Sequence, residues 1–439
     1  MNVPALLSPA DALAFVLADL ALILIVARLV GYLFVVVGQP RVVGEIVAGI
    51  LIGPTVLGGS LGALGEAGEG LVGALYPAQS FAFLNLIGQV GLVLFMFLVG
   101  LELDQRLLKE RGRQIVAVGL SVVVVPVAFG FLLAPLLTGE TWRSPGTDTV
   151  TFALFLGAGL SVTAFPVMAR ILQEKGLDRT TLGAIGLGSA ALVTVLMFFA
   201  IAAASAVASG DGAVGDIALK VGLTIGLVLV LLFVGRPLTA LLTRNYRVGQ
   251  PVTPVIGALL PLVLVVALAA DRIGISALVG GFLFGLIVPA RPGMAEAVTG
   301  RLQDAIVLFF LPVFLAVSGI RTDLRQFAPE AVVGLVLFLG LMVVGKWGVG
   351  YVTARLVGLS SDEAHVLGVL LNCRGLLILV VALIGQQLGV VTPALQGVFV
   401  LGAIVTTVMT GPIVEVFMRR VGAQEGPRRE STGVAAIVG

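Results

Sequence analysis

The chain has 439 residues, 59% of them hydrophobic and only 11% charged, with a formal charge of +2. Its mean hydropathy of +1.15 exceeds what one soluble core can absorb, so lipid must solvate much of the surface. The single Cys (Cys373) and single His (His365) exclude a disulfide framework and a Cys/His zinc cluster.

The opening stretch, MNVPALLSPADALAF, carries no Lys or Arg and so lacks the basic start of a cleaved signal peptide. Apolar runs then follow at 11–37, 42–58, 81–101, 114–136, 150–172, 181–208, 216–243, 253–270, 274–290, 304–320, 331–357, 364–387 and 392–418. About thirteen segments are thus long enough to cross a bilayer as helices. No run alternates as a barrel strand would. The expected fold class is an all-α polytopic membrane protein.

In segment 1, Asp19 and Arg28 fall on opposite helix faces and do not pair with each other. In segment 2, Glu45 follows Arg41 by four residues, the spacing of a routine helical ion pair. The stretches GEIVAGILIG (44–53) and GGFLFG (280–285) read as close-packing helix faces. Glu102 and Asp104 close segment 3 beside a basic loop and read as interfacial. Asp271, Asp304, Arg321 and Asp323 also lie at or near segment ends.

Two segments carry breaks. GAGLSVTAFPVMAR in segment 5 combines Gly157, Gly159, Ser161, Thr163 and Pro166, and LLNCRGLLIL in segment 12 places Asn372, Arg374 and Gly375 in an apolar run. Interrupted helices free backbone groups near the midplane, where carriers hold their ions. Between them lies segment 6, whose stretch GLGSAALVTVLMFFAIAAA (186–204) has no charged side chain. Lys346, in VVGKWGVGYV of segment 11, and Arg374 are the deepest cations. A charge inside a spanning helix costs roughly 2.5–3.5 kcal/mol on insertion scales, so both are functional candidates.

Eighteen of the 26 Lys and Arg fall between segments on one side, including the clusters at 106–113, 170–179 and 419–429. Four fall on the other: Arg143, Arg272, Arg321 and Arg325. Positive loops stay cytoplasmic, which puts the N-terminus outside and the C-terminus inside. An odd segment count also lets segments 1–6 and 8–13 be equivalent units entering from opposite faces, with 5 and 12 as counterparts. Residues 419–439 read as a short cytoplasmic tail. Arg outnumbers Lys 22 to 4, a bias that points to a bacterial genome and its plasma membrane.

Four patches in order, QPRVVGEIVAGILIGPTVLG (39–58), GLSVTAFPVMARIL (159–172), LPVFLAVSGIRTD (311–323) and NCRGLLILVVALIGQQLGV (372–390) followed by VTTVMTGP (405–412), resemble the monovalent cation:proton antiporters. The similarity is greatest to the branch holding plant cation/H⁺ exchangers and bacterial sodium/proton and potassium-efflux antiporters. It covers nearly the whole chain. The resemblance implies a sodium/proton exchanger-type domain over 1–418, with inverted repeats and crossed broken helices in segments 5 and 12. It implies a homodimer too, with a dimerisation part (segments 1–3 and 8–10) and a moving core (4–6 and 11–13). Thr163 and Pro166 match the family's segment 5 motif, Lys346 its segment 11 lysine and Arg374 its segment 12 base.

The family's acids have no match. Aligning Ser189, Ala190 and Ala191 puts the usual acidic pair at Val193 and Thr194, and the usual segment 12 glutamate falls on Ile378. The expected ion and proton site is therefore Lys346, Arg374, Thr194, Thr163, Ser161, Pro166 and Asn372, with Glu45 and Asp19 as candidate compensating acids. The leading expectation is Na⁺ or K⁺/H⁺ antiport with Lys346 as proton carrier. A proton-coupled exporter of an organic or inorganic anion, or a non-transporting relative, are the alternatives. The chain shows no nucleophile–base set, metal cluster or phosphate loop, so neither an enzyme, a cofactor nor a nucleic-acid partner is expected.

Overall fold

The computed structural model describes residues 9–58, 78–102, 111–137, 139–165, 168, 171–172, 177, 180–208, 214–274, 276–289, 291–322, 329–375 and 377–425. These residues are almost entirely helical. In chain order the helices are α1 (Pro9–Val36), α2 (Arg41–Ile52), α3 (Ala78–Glu102), α4 (Gly112–Leu133), α5 (Thr149–Ser161) and α6 (Thr181–Ala208). Next come α7 (Val214–Val230, continued through a π-helical turn Leu231–Gly235 into Arg236–Leu242), α8 (Thr253–Ile273) and α9 (Ala277–Ile287). α10 runs from Met294 to Ile320 with a π turn at Ile306–Phe310, and α11 comprises Pro329–Val343, a π turn Val344–Gly348 and Val349–Leu356. The last three are α12 (Ser361–Leu371), α13 (Leu377–Gln387) and α14 (Pro393–Glu425).

Among the described residues, nine helices are long and apolar enough to cross a membrane. Three shorter apolar ones, α5, α9 and α13, include the pieces of the two broken segments. Helix ends follow local chemistry. Asp148 caps α5 by accepting from Thr151 N at 2.9 Å, and Ser360 and Glu363 form a reciprocal capping box at the start of α12. Gly274, at φ 90°, stops α8 in a left-handed conformation.

Two boundaries differ from the hydropathy reading. α10 begins at Met294 rather than near 304, because its first turns (MAEAVTGRLQDA) are helical but polar. α14 runs on through Glu425, past the point where the charge pattern starts a tail. The Glu415–Arg419 pair at 2.9 Å supports that extension, as i,i+4 pairs do.

The helices pack in two groups. In one, α2 lies against α1 and the second half of α10, while α9 lies against α3 and α8. In the other, α4 lies against α5 and α6, and α12 lies between α11 and α14. Glycine sets the contact distances in the first group. A Cβ on Gly49 would stand 2.2 Å from Ala316 O, and one on Gly285 would stand 2.1 Å from Phe97 O. Helices in lipid gain most from such close backbone approach, since burial between them offers no hydrophobic gain over lipid tails.

The acids of segments 1 and 2 settle within this group. Asp19 accepts from Ser80 Oγ at 2.7 Å, tying α1 to α3. Arg28 donates to Leu308 O at 3.0 Å, so it does not pair with Asp19. Glu45 pairs with Arg41 at 3.9 Å, as the spacing requires.

Gly49→Ala should force α2 away from α10 and destabilise the fold by about 1–3 kcal/mol. Gly340→Ala, where a Cβ meets nothing within 4 Å, should be neutral or slightly stabilising. Thermal melting of the two purified variants checks this; equal midpoints would refute the packing assignment.

Candidate functional site

The two breaks meet inside the second group. α5 ends at Ser161 and α12 at Leu371, and the stretches that follow bond to each other: Ala164 N donates to Cys373 O at 2.7 Å. Gly375, at φ 49°, turns the chain in the left-handed region that favours glycine. Its N–H donates to Thr407 Oγ1 of α14 at 3.3 Å.

A helix that stops inside the molecule leaves its last carbonyls without intrahelical partners. Here both ends receive a buried cation. Arg374 Nη1 donates to Gly159 O at 2.6 Å and to Val162 O at 3.4 Å, capping the end of α5 directly. Lys346 Nζ donates to Thr163 Oγ1 at 2.9 Å. Thr163 Oγ1 in turn donates to Leu371 O at 2.8 Å, passing the contact on to the end of α12. Lys346, Arg374 and Thr163 are all fully buried, at 0% exposure.

The π turn of α11 presents the lysine. Gly345 faces Pro126 and Phe129 of α4, while Gly368 lets the backbone and ring of Trp347 lie directly on α12. Lys346 therefore enters the site from a turn held on both sides.

Among the described residues, no carboxylate pairs with Lys346 or Arg374. Glu45 and Asp19, read as candidate compensating acids, lie in the first packing group on the partners given above. The structure does not bring either to the lysine.

Of the remaining expected residues, Asn372 is buried beside Arg374 with both amide atoms lacking a hydrogen-bond partner. Ser161 and Thr194 are buried, but their hydroxyls donate within their own helices, to Ala158 O at 3.1 Å and Ala190 O at 2.8 Å. Their oxygens keep lone pairs for accepting. Pro166 lies outside the described residues. The structure adds a hydroxyl row on α14: Thr406, Thr407 and Thr410, all buried. Its signal in the sequence was TTVMT (406–410), three hydroxyls in an apolar helix.

The profile of the transmembrane sodium/hydrogen exchanger family matches residues 21–420. The chain is 35% identical over 408 residues to the Na⁺/H⁺ antiporter NhaS4 of Synechocystis, covering 92% of this chain and 97% of that protein. It is 34% identical to cation/H⁺ antiporter 17 of Arabidopsis thaliana, covering 92% of this chain and 48% of the relative. It is also 29% identical to K⁺/H⁺ antiporter 1 of Saccharomyces cerevisiae, covering 92% and 46%. The chain thus spans about half the length of the plant and yeast relatives. Its fold matches the sodium/proton antiporter MjNhaP1 of Methanocaldococcus jannaschii with a TM-score of 0.63 over 93% of this chain and 98% of that one, at 15% identity. With two mutually bonded helix breaks, a buried lysine beside them and a family match across nearly its whole length, this chain belongs to the transmembrane sodium/hydrogen exchanger family.

Proposed function

We propose that the chain exchanges a monovalent cation, Na⁺ or K⁺, for H⁺ across a bacterial plasma membrane by alternating access. The observation that carries this reading is the contact of Lys346 with Thr163. A metal cation needs hard oxygen ligands; Thr163 Oγ1 and Leu371 O are bonded together beside Lys346, and on this reading the hydroxyl of Thr194 joins them. A protonated Lys346 already occupies Thr163 Oγ1. Ammonium and metal ion therefore compete for one oxygen set, and competition of that kind couples the arrival of one to the departure of the other.

The two packing groups supply the remaining parts. α1–α3 and α8–α10 form the fixed, dimerising part, and α4–α6 with α11–α14 form the core that moves against it. The hydrogen bonds between the breaks support crossed broken helices within that core, related by inverted repetition. The basic loops favour an external N-terminus and a cytoplasmic C-terminus.

Everted vesicles should show Na⁺- or K⁺-dependent proton flux. Lys346→Ala should abolish it, and Thr163→Val should slow it about 10- to 100-fold, the worth of one buried hydrogen bond to a charged group. Thr194→Ala should weaken cation affinity with less effect on maximal rate. No cation response between about pH 6 and 9, a span on either side of neutrality that overlaps the imidazole range, would defeat the reading.

One observation favours a second reading, proton-coupled export of an anion: two fully buried bases share the site with no carboxylate among the described residues. On that reading Thr194→Asp should abolish anion transport. On the exchange reading the same variant should retain cation-dependent flux. Measuring both fluxes in this one variant separates the two.

A further inference from the structure

The site's lysine sits one residue from an aromatic group that its chemistry does not use. Trp347, in the same π turn, donates its indole N–H to Nδ1 of His365 on α12 at 3.2 Å. The imidazole is sandwiched between Tyr351 of α11, at 4.2 Å and 25°, and Phe417 of α14, at 4.4 Å and 15°. An indole nitrogen only donates. Nδ1 must therefore be the bare acceptor, and the neutral ring carries its proton on Nε2. His365 is half-buried, near the end of the molecule that carries Arg419 and Arg420, so water reaches it while Lys346 stays sealed.

We propose that His365 is a positioning residue for Lys346, holding the π turn of α11 through Trp347 only while its imidazole is neutral. This rests on the exchange reading above, in which Lys346 must reach Thr163. α12 is gripped at both ends by that turn: Trp347 bonds His365 near its start, and Lys346 bonds Thr163, which bonds Leu371 O at its end. A second proton on the ring turns Nδ1 into a donor facing a donor. The indole must then leave, and the lysine's turn loses one of its two anchors. On the orientation argued above, the controlling proton comes from the cytoplasm.

Two charges act on the ring, and they oppose each other. From α12 itself Asp362 acts on it, and from α14 Arg420 acts with opposite sign. Glu363 is engaged in the helix cap. On α11, Tyr351 bonds with Ser361 and Arg355 donates to Leu359 O, while Lys346 points to Thr163 instead. α6, which also packs on α12, has no charged residue.

The test uses the full chain in proteoliposomes, with cation-driven proton flux followed as the pH on the Arg420 side is lowered from about 8 to about 5.5, across the imidazole range. Wild-type flux should fall about tenfold along an acid limb. His365→Asn, whose Oδ1 takes the place of Nδ1 as a permanent acceptor, should stay fast and lose that limb. Trp347→Phe, which keeps a ring but no donor, should be slow and flat throughout. An acid limb unchanged in His365→Asn, or retained in Trp347→Phe, overturns the proposal.

A readout that needs no transport keeps this separate from the exchange reading. The chain has two tryptophans, so in Trp142→Phe protein the remaining indole is Trp347. Its emission should change with a midpoint in the imidazole range, and His365→Asn added to that background should flatten the curve. A pH-independent emission with His365 present refutes the switch even if the protein carries no cation. Emission that titrates without any cation flux upholds the switch and defeats the exchange reading instead.

Discussion

Two helices end where no water can meet their last carbonyls, and the rest of the site follows from how those ends are satisfied. In lipid, irregular backbone survives only where protein groups bond it. Arg374 answers for α5 and Lys346, through Thr163, answers for α12. This gives the two bases a reason to be present that is independent of any acid. A count of formal charges alone makes the cavity doubly cationic; counting the helix ends changes that. Each C-terminus acts as roughly half a negative charge, so the bases sit where the backbone already supplies an opposing field.

The same arrangement explains the placement of the π turn. An extra residue in the turn of α11 brings Lys346 and Trp347 to bear on α12 together, one toward its end and one toward its start. Gly368 is what lets them come so close: a Cβ there would stand 2.6 Å from Trp347 O. The glycines of the first group, Gly49 and Gly285, do similar work for helices that carry no chemistry. One device, backbone against backbone at a glycine, thus packs helices together in one group and brings the turn of Lys346 onto α12 in the other.

Much of this was legible in the sequence. Apolar runs located the helices, because their period and length are set by the bilayer. The breaks were legible because Gly, Thr and Pro, and then Asn, Arg and Gly, are expensive in lipid unless something uses them. Three things were not. The first turns of α10 are polar, so a hydropathy window ended the segment at 304 although the helix continues back to Met294. Glu45 and Asp19 could be read as buried acids, but a linear reading cannot say which packing group a helix joins, and they lie apart from Lys346. The Trp347–His365 pair was hidden because tryptophan reads as apolar and the histidine stands eighteen positions away. Its one signal was that the chain's only His fell inside a spanning segment.

The charge-free stretch of α6 then takes on a different meaning. An exchanger must make its site attractive to a metal ion once the proton has gone. A carboxylate does so with one full charge at a fixed point. With Arg374 offsetting the end of α5, the C-terminus of α12 offers part of that, roughly half a charge unit spread over its last carbonyls. While Lys346 is protonated it fills that field. When it gives up its proton, Arg374 remains to balance only the end of α5, and the end of α12 faces Thr163 with no cation behind it. The position left uncompensated is the one bordered by Thr163 and Leu371 O. On the proposed exchange, the carbonyls at the end of α12 stand in part for the acid that α6 does not provide, with Lys346 and not Arg374 as the base that discharges. The hydrogen bonds fit that assignment: Arg374 bonds its carbonyls directly, whereas Lys346 acts through a hydroxyl that can equally accept from an ammonium or ligate a metal.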